Sequence, residues 1–454
     1  MGAVETLPGN KCTGVEPRVW QGAMTRTLVL GGAVSGQGAA RLARRLGHQV
    51  MVYDRDLARL EALIQEGFAI VDGNWQPELL DGIELAVASP GFPEWSAPVR
   101  DALTRGTRLV SELEFAASQL RAPLVAVTGT NGKTTVSSMI MDMCIRSGLK
   151  AVAAGNIGTA LSEVVGEAWD VVVAEASSFQ LRFTQTLHPR TAVLLNLAPD
   201  HLDWHGSFEA YAAAKCLIFA NQQPHDLLVF DADDAEATRR VGHARSRRLG
   251  ASGRQRVGGG PGPQQGRLVW DREVAVDLKA LPDSDPSFLV DLAAAGAAAL
   301  EMGASGNGVI ASAINFKGTP HRRQLIGRWK QVAWVNDSKA TNPHAAVAAA
   351  AAFPSVVLIA GGRNKGLDLA PLLAVAGVRR LVAIGEAAAE LARLDPQVRI
   401  AASMEEAVTL AAALAQPGDT VLLAPACASF DMFDSYAARG DAFAAAVRRL
   451  HGET

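Results

Sequence analysis

The run Gly129-Thr-Asn-Gly-Lys-Thr-Thr135 is the stretch of this chain best equipped for chemistry on a polyphosphate. Small residues let consecutive backbone N–H groups and a helix N-terminus face anionic oxygens. In such a loop Lys133 reaches the β- and γ-phosphates, and the Thr134 hydroxyl coordinates Mg²⁺. Val127 stands where the usual phosphate-loop pattern has its first glycine, so the loop is a variant. The plain alternative is a glycine-rich turn with a solvated lysine. It leaves unexplained the order of the segment: an apolar strand-like run (124–127), the loop, a Lys-Thr pair, then a helical pattern through Val136, Met139, Ile140, Met143 and Cys144. Nucleoside triphosphate binding uses all of these.

Other polar residues also stand directly after apolar runs. Glu175 follows residues 171–174, and Asp200-His-Leu-Asp203 follows residues 192–197. A carboxylate beside a buried strand is costly unless it has a task, and Mg²⁺ next to a triphosphate would supply one. A solvated strand end is the alternative for Glu175, and a helix cap or core histidine for His201. Lys215 shares a helical face with Phe208, Tyr211, Ala212 and Phe219. Such a lysine either snorkels to solvent or sits partly buried with a lowered pKa. A neutral buried amine can react with CO₂ to give a metal-binding carbamate. Periodicity alone favours snorkelling.

Towards the C-terminus, Asn336-Asp-Ser-Lys-Ala-Thr-Asn342, Gly361-Gly-Arg-Asn-Lys-Gly366 and Pro425-Ala-Cys-Ala-Ser-Phe-Asp431 each end a strand-like run. Lys339, Lys365 and Ser429 suit an anionic small substrate; three unrelated surface loops are the alternative. Near the N-terminus, Gly31-Gly-Ala-Val-Ser-Gly36 lies between residues 27–30 and a helical pattern, and residues 49–53 run into Asp54. This is a βαβ unit in which Asp54 would hold a ribose. Ala33 replaces the glycine that admits a pyrophosphate, so NAD, another nucleoside diphosphate ligand and a structural turn all remain open.

The elements that must position these residues alternate between strand and helix, which indicates an α/β protein of three domains. Residues 24–120 read as Rossmann-like, 121–317 as a central P-loop-type ATPase domain with a mainly parallel sheet, and 318–454 as Rossmann-like again. Residues 258–266 read as a low-complexity surface loop, followed by an Ala-rich helix over 289–304. The Ala-rich run 345–360 is broken by Pro354 and reads as a helix then a strand, not a membrane span. Residues 1–23 lack an apolar signal core and are expected to be a disordered extension, with Met24 a candidate start. The chain has 454 residues, 20% of them charged, and a formal net charge of −3, which argues against a generic nucleic-acid binder. Its four cysteines lack ligand-like spacing, and a cytoplasmic setting is expected.

With these residues in view, the chain resembles the Mur ligase family. Gly129–Thr135, Asp200-His-Leu-Asp203 and Tyr211-x-x-x-Lys215 resemble the superfamily motifs. Glu175-Ala-Ser-Ser-Phe-Gln180, Asn336–Asn342, Ala426-Cys-Ala-Ser-Phe-Asp431 and Arg439-Gly440 resemble its D-glutamate-adding branch. The resemblance implies ATP-dependent ligation of D-glutamate to UDP-N-acetylmuramoyl-L-alanine through an acyl phosphate. It implies that Gly129, Thr130, Asn131, Gly132, Lys133, Thr134 and Thr135 bind ATP, with Arg322 and Asp337 on its base and ribose. It implies two Mg²⁺ ions on Thr134, Glu175, His201 and a carbamylated Lys215, which overturns the snorkelling preference, and catalytic parts for Lys133, His201 and Lys215. Val34, Ser35, Asp54, Arg55, Ser89 and Asn156 are implied for the UDP substrate. Thr341, Lys365, Ser429, Phe430 and Tyr436 are implied for D-glutamate. A monomer without nucleic-acid or membrane partners is expected. The family's His-Asn-x-x-Asn segment at the adenine has no asparagine in the matching residues 290–295, and Gln324 replaces a common acidic residue. Rival readings are a related ligase such as a folylpolyglutamate synthase, a nicotinamide oxidoreductase, and a nucleotide switch without covalent chemistry.

Overall fold

The computed structural model describes residues 25–453, so the expected extension over 1–23 and the candidate start Met24 lie outside the described residues. Continuous apolar runs make strands that are buried on both faces, and three main sheets result. The first is all parallel: β1 (Arg26–Leu30), β2 (Gln49–Asp54), β3 (Ala69–Asp72), β4 (Leu85–Ala88) and β5 (Arg108–Ser111), in the order β3-β2-β1-β4-β5. The second is also all parallel: β6 (Leu124–Thr128), β7 (Ala151–Gly155), β8 (Val171–Glu175), β9 (Thr191–Leu194), β10 (Leu227–Asp231) and β11 (Arg247–Ala251), in the order β11-β10-β9-β6-β8-β7. A small antiparallel sheet follows, formed by β12 (Gly262–Gln264), β13 (Arg267–Val269) and β14 (Ala275–Asp277). The last sheet holds β15 (Gln324–Trp329), β16 (Val332–Asn336), β17 (Val356–Gly361), β18 (Val378–Ile384), β19 (Arg399–Ile400) and β20 (Thr420–Ala426), in the order β15-β16-β20-β17-β18-β19. In it only β15 runs antiparallel to its neighbour.

The helix Lys133–Arg146 buries Val136, Met139, Ile140, Met143 and Cys144 against the second sheet and the Ala-rich helix Pro286–Glu301. The run 345–360 forms the helix Pro343–Ala351 and then β17. No helix among the described residues is long and apolar enough to cross a membrane.

Residues 258–266 are only in part the expected surface loop: 258–259 and 264–266 are exposed, but the middle is not. Residues 260–262 are buried, and the segment runs into β12. Ser252 N–H donates to the Pro261 carbonyl at 3.0 Å, and Arg256 N–H to that of Pro263 at 2.9 Å. A Cβ on Gly260 would lie 1.9 Å from the Gly250 carbonyl oxygen, so glycine here serves close backbone approach rather than looseness.

The first and second sheets are joined through the helix Glu112–Ala117. Glu112 accepts the Ser162 N–H at 2.7 Å across the joint. Glu114 accepts the Thr186 N–H at 2.8 Å, the Thr186 hydroxyl at 2.6 Å and the Leu187 N–H at 2.9 Å. Glu114→Ala leaves these donors without an acceptor, at about 1 kcal/mol each, so a loss of about 3 kcal/mol is expected. A thermal melt of the variant should show it as a clearly lowered transition.

Candidate active site

The phosphate-loop segment connects β6 to the helix Lys133–Arg146 through Gly132, whose φ of +87° favours glycine. Its shape is fixed from outside. The Thr130 N–H donates to the Asn196 carbonyl at 2.8 Å, and the Asn131 N–H to Asn196 Oδ1 at 2.9 Å. The Thr130 hydroxyl hydrogen-bonds Tyr211 OH at 3.0 Å. Thr134 donates to Glu175 Oε2 at 2.8 Å, and Asn156 Nδ2 donates to Glu175 Oε1 at 3.0 Å. Thr135 and Gly132 line a cavity of about 830 Å³, together with Asn131, Arg322, Asp337 and Lys339.

Lys133 and Lys215 converge on one atom. The Gly129 carbonyl accepts Lys133 Nζ at 2.9 Å and Lys215 Nζ at 2.8 Å. Lys215 is only 2% exposed, which overturns the snorkelling preference. The helix Phe208–Cys216 turns it inward beneath the loop, where Thr128 Oγ1 at 3.4 Å is its other acceptor. Burial, and then the neighbouring Lys133 ammonium, hold the Lys215 pKa well below the usual lysine value. Burial lowers Lys133 as well. His201 begins the helix Leu202–His205 from a left-handed conformation, φ 51°, and burial brings its pKa down to about 4, leaving the ring neutral. It stacks edge-on against Phe179 at 4.7 Å.

The last sheet brings its strand-end loops to the same place. Lys339 Nζ donates to Thr134 Oγ1 at 3.0 Å, and Lys365 Nζ pairs with Asp200 Oδ1 at 2.9 Å. Burial lowers the Lys339 pKa to about 8. Asp200 also accepts Asn342 Nδ2 at 3.1 Å. Burial opposes its ionisation, but Lys365 and His201 outweigh that and keep its pKa low. Paired bonds between Arg363 and Ala428 hold the Lys365 loop beside the Ser429 loop. Thr341 is half-buried and Ser429 buried, whereas Phe430 is 67% exposed. The Tyr436 ring lies 5.3 Å from Lys339 Nζ.

The residues implied for the UDP substrate divide between two sheets. Val34 and Arg55 are exposed, Ser35 is half-buried, and Ser89 is buried with no partner for its hydroxyl among the described residues. Asp54 accepts the N–H groups of Gly32 at 2.8 Å and Asp56 at 3.0 Å, so it shapes the glycine-rich turn. Asn156, by contrast, stands at Glu175 in the second sheet.

Sequence reasoning passed over Asn196 and His344. Asn131 Nδ2 donates to His344 Nδ1 at 2.9 Å across the gap between the sheets. Neither residue sits in a motif with its partner, and only the folded chain brings them together.

The donor set suits Mg²⁺: Thr134 and Glu175 offer hard oxygen ligands, the kind that complete their shell with phosphate and water.

The family model described as the Mur ligase middle domain matches residues 127–255, and that of the Mur ligase glutamate ligase domain matches residues 321–427. Residues 11–73 match the alanine dehydrogenase/PNT C-terminal domain. The UDP-N-acetylmuramoylalanine–D-glutamate ligase of Pelotomaculum thermopropionicum is 38% identical, over 94% of this chain and 98% of its own. That of Salinibacter ruber is 40% identical over the same shares. The fold is shared with a crystal structure of MurF from Acinetobacter baumannii, with a TM-score of 0.58 at 17% identity over 89% of this chain and 91% of that one.

His205, hydrogen-bonded to Ser178 Oγ at 3.0 Å, is held neutral by burial with a pKa of about 4. Because this lies below the unfolded value, its contribution to stability is present above about pH 6.5 and declines as the pH falls towards 4. His205→Phe should therefore show a smaller drop in melting temperature over that window than the unaltered protein.

Proposed function

This chain belongs to the Mur ligase family, and we propose that it joins D-glutamate to UDP-N-acetylmuramoyl-L-alanine at the expense of ATP. The observation that carries the reading is the meeting of four lysines from two sheets around one loop: Lys133 and Lys215 on the Gly129 carbonyl, Lys339 on Thr134, and Lys365 on Asp200.

A carboxylate attacking a triphosphate brings like charges together, so positioning and charge neutralisation must carry most of the catalysis. Lys133, now folded onto its own loop's carbonyls, exchanges them for the β- and γ-phosphates. Arg322 and Asp337 line the cavity for the nucleoside. Thr134 and Glu175 would hold Mg²⁺, which would supply charge neutralisation at the phosphates. A substrate carboxylate oxygen bonds to the γ-phosphorus as the bond to the β-phosphate oxygen breaks, giving ADP and an acyl phosphate. The D-glutamate amine then bonds to the acyl carbon, loses a proton, and phosphate leaves. Lys365, Ser429 and Thr341 hold the D-glutamate carboxylates, with Phe430 and Tyr436 at the rim. Asn156, Ser89, Ser35, Val34, Arg55 and Asp54 serve the UDP-sugar.

Lys215 is best suited to act as its carbamate. Its buried, depressed amine, in the neutral form, can take up CO₂ with loss of one proton, turning an uncharged group beside Lys133 into an anion that, with neutral His201, would hold a second Mg²⁺. The enzyme acts as a monomer in the cytoplasm.

Phosphate release should require Mg²⁺, the UDP-sugar dipeptide precursor and D-glutamate together, and L-glutamate or L-alanine should not substitute. Release independent of the amino acid would sink the reading. Lys215→Ala should lose activity by at least about 100-fold, beyond rescue by bicarbonate and in part restored by short-chain carboxylic acids.

A further inference from the structure

Asn131 belongs to the phosphate loop, yet both polar atoms of its side chain are bonded by residues that follow β16. Its backbone is committed to the second sheet's half: the N–H donates to Asn196 Oδ1 at 2.9 Å, and the carbonyl accepts Asn196 Nδ2 at 3.4 Å. Its side-chain oxygen accepts Asn342 Nδ2 at 3.1 Å, and its Nδ2 lies 2.9 Å from His344 Nδ1. Thr130 and Asn131 stand between Gly129 and Gly132, so the loop has little stiffness of its own there and takes its shape from such contacts.

The direction of each bond follows from one backbone group. Asn342 caps the helix Pro343–Ala351, its Oδ1 accepting the Ala345 N–H at 2.8 Å. That fixes the orientation of its amide. Both hydrogens of its Nδ2 are then free to donate, one to Asp200 Oδ2 at 3.1 Å and the other to Asn131. The atom of Asn131 that meets Asn342 is therefore its oxygen, and the atom that meets His344 is its NH₂ group. His344 Nδ1 must accept, which places the imidazole proton on Nε2. His344 is the second residue of the capped helix, directly after Pro343, so the element that aims Asn342 also aims the ring.

We propose that His344 is a positioning residue: by accepting from Asn131 at Nδ1 it sets the tilt of the phosphate loop. The last sheet's half then acts on the nucleotide through the loop as well as through its own lysines. A different use of the ring would be a direct contact from Nε2–H to the nucleotide, since His344 is exposed and lines the cavity. The two uses differ in which nitrogen matters and in whether Asn131 is needed.

The inference rests on reading this cavity as the ATP site of the ligase. The test is a double-mutant cycle on the KM for ATP in amino-acid-dependent phosphate release, using His344→Ala, Asn131→Ala and the two together. His344→Ala should raise that KM by about fivefold, the scale of one neutral hydrogen bond, and leave the KM for the UDP-sugar precursor within about twofold. In the Asn131→Ala background the same change should have no further effect. His344→Asn keeps an acceptor near the Nδ1 position and should retain most of the affinity. His344→Gln, whose polar atoms reach towards the Nε2 position, should not. Additive effects overturn the proposal, and so does retention by Gln but not by Asn, since both are expected of a ring that touches the nucleotide itself. An unchanged KM for ATP in His344→Ala overturns it as well. If even the unaltered protein shows no amino-acid-dependent release, the ligase reading has failed instead. Calorimetric titration of the same proteins with ADP then still reads the coupling between His344 and Asn131.

Discussion

Two lysine amines share the Gly129 carbonyl oxygen, and much of the site follows from that crowding. Two ammonium groups on one acceptor, away from bulk water, repel strongly. The fold resolves this by burial, which pushes Lys215 well towards its neutral form while Lys133, also lowered, remains partly exposed. The Tyr211 ring, 4.8 Å from Lys215 Nζ, completes the enclosure, and its hydroxyl steadies Thr130 one residue further along the loop. Loop, helix and buried amine thus form one packed unit within the second sheet's half of the molecule.

Around that unit the architecture is conventional α/β logic. Parallel strands deliver their polar successors to one edge: Glu175 from β8, Asn196 beyond β9 and the phosphate loop from β6. The last sheet does the same with the loops after β16, β17 and β20. Its cations and amides, Lys339, Lys365 and Asn342, then reach across to Thr134 and Asp200.

What was legible in the chain was local. The phosphate loop could be read because strand, turn, Lys-Thr pair and amphipathic helix are contiguous, and Glu175 because it ends a Val-rich run. Lys215 was misjudged by periodicity, since a helical wheel marks the apolar face but cannot tell a rim from an interior lying beneath a neighbouring loop. Glycine content marks the exposed turns at 258–259 and 264–266 but not the buried middle, where Gly260 serves close backbone approach. The antiparallel strand β15 and the pairings of Asn196 with the loop and of His344 with Asn131 depend on contacts between distant segments, which no single window contains.

The two joints of the molecule are built from different materials. At the first, Glu112 and Glu114 are held largely by backbone N–H groups in a buried seam, with the half-exposed pairs Arg41–Glu163 at 3.0 Å and Arg182–Glu94 at 2.6 Å at its rim. At the second, Lys365 faces Asp200 and Arg323 faces Asp285, opposite charges at 2.9 and 2.7 Å. Dissolved ions weaken attraction between charged side chains far more than they weaken amide-to-carboxylate bonds in a dry interface. Ionic strength therefore acts mainly on the exposed pairs at the rim of the first joint, while its buried seam and the more enclosed pairs of the second are screened much less.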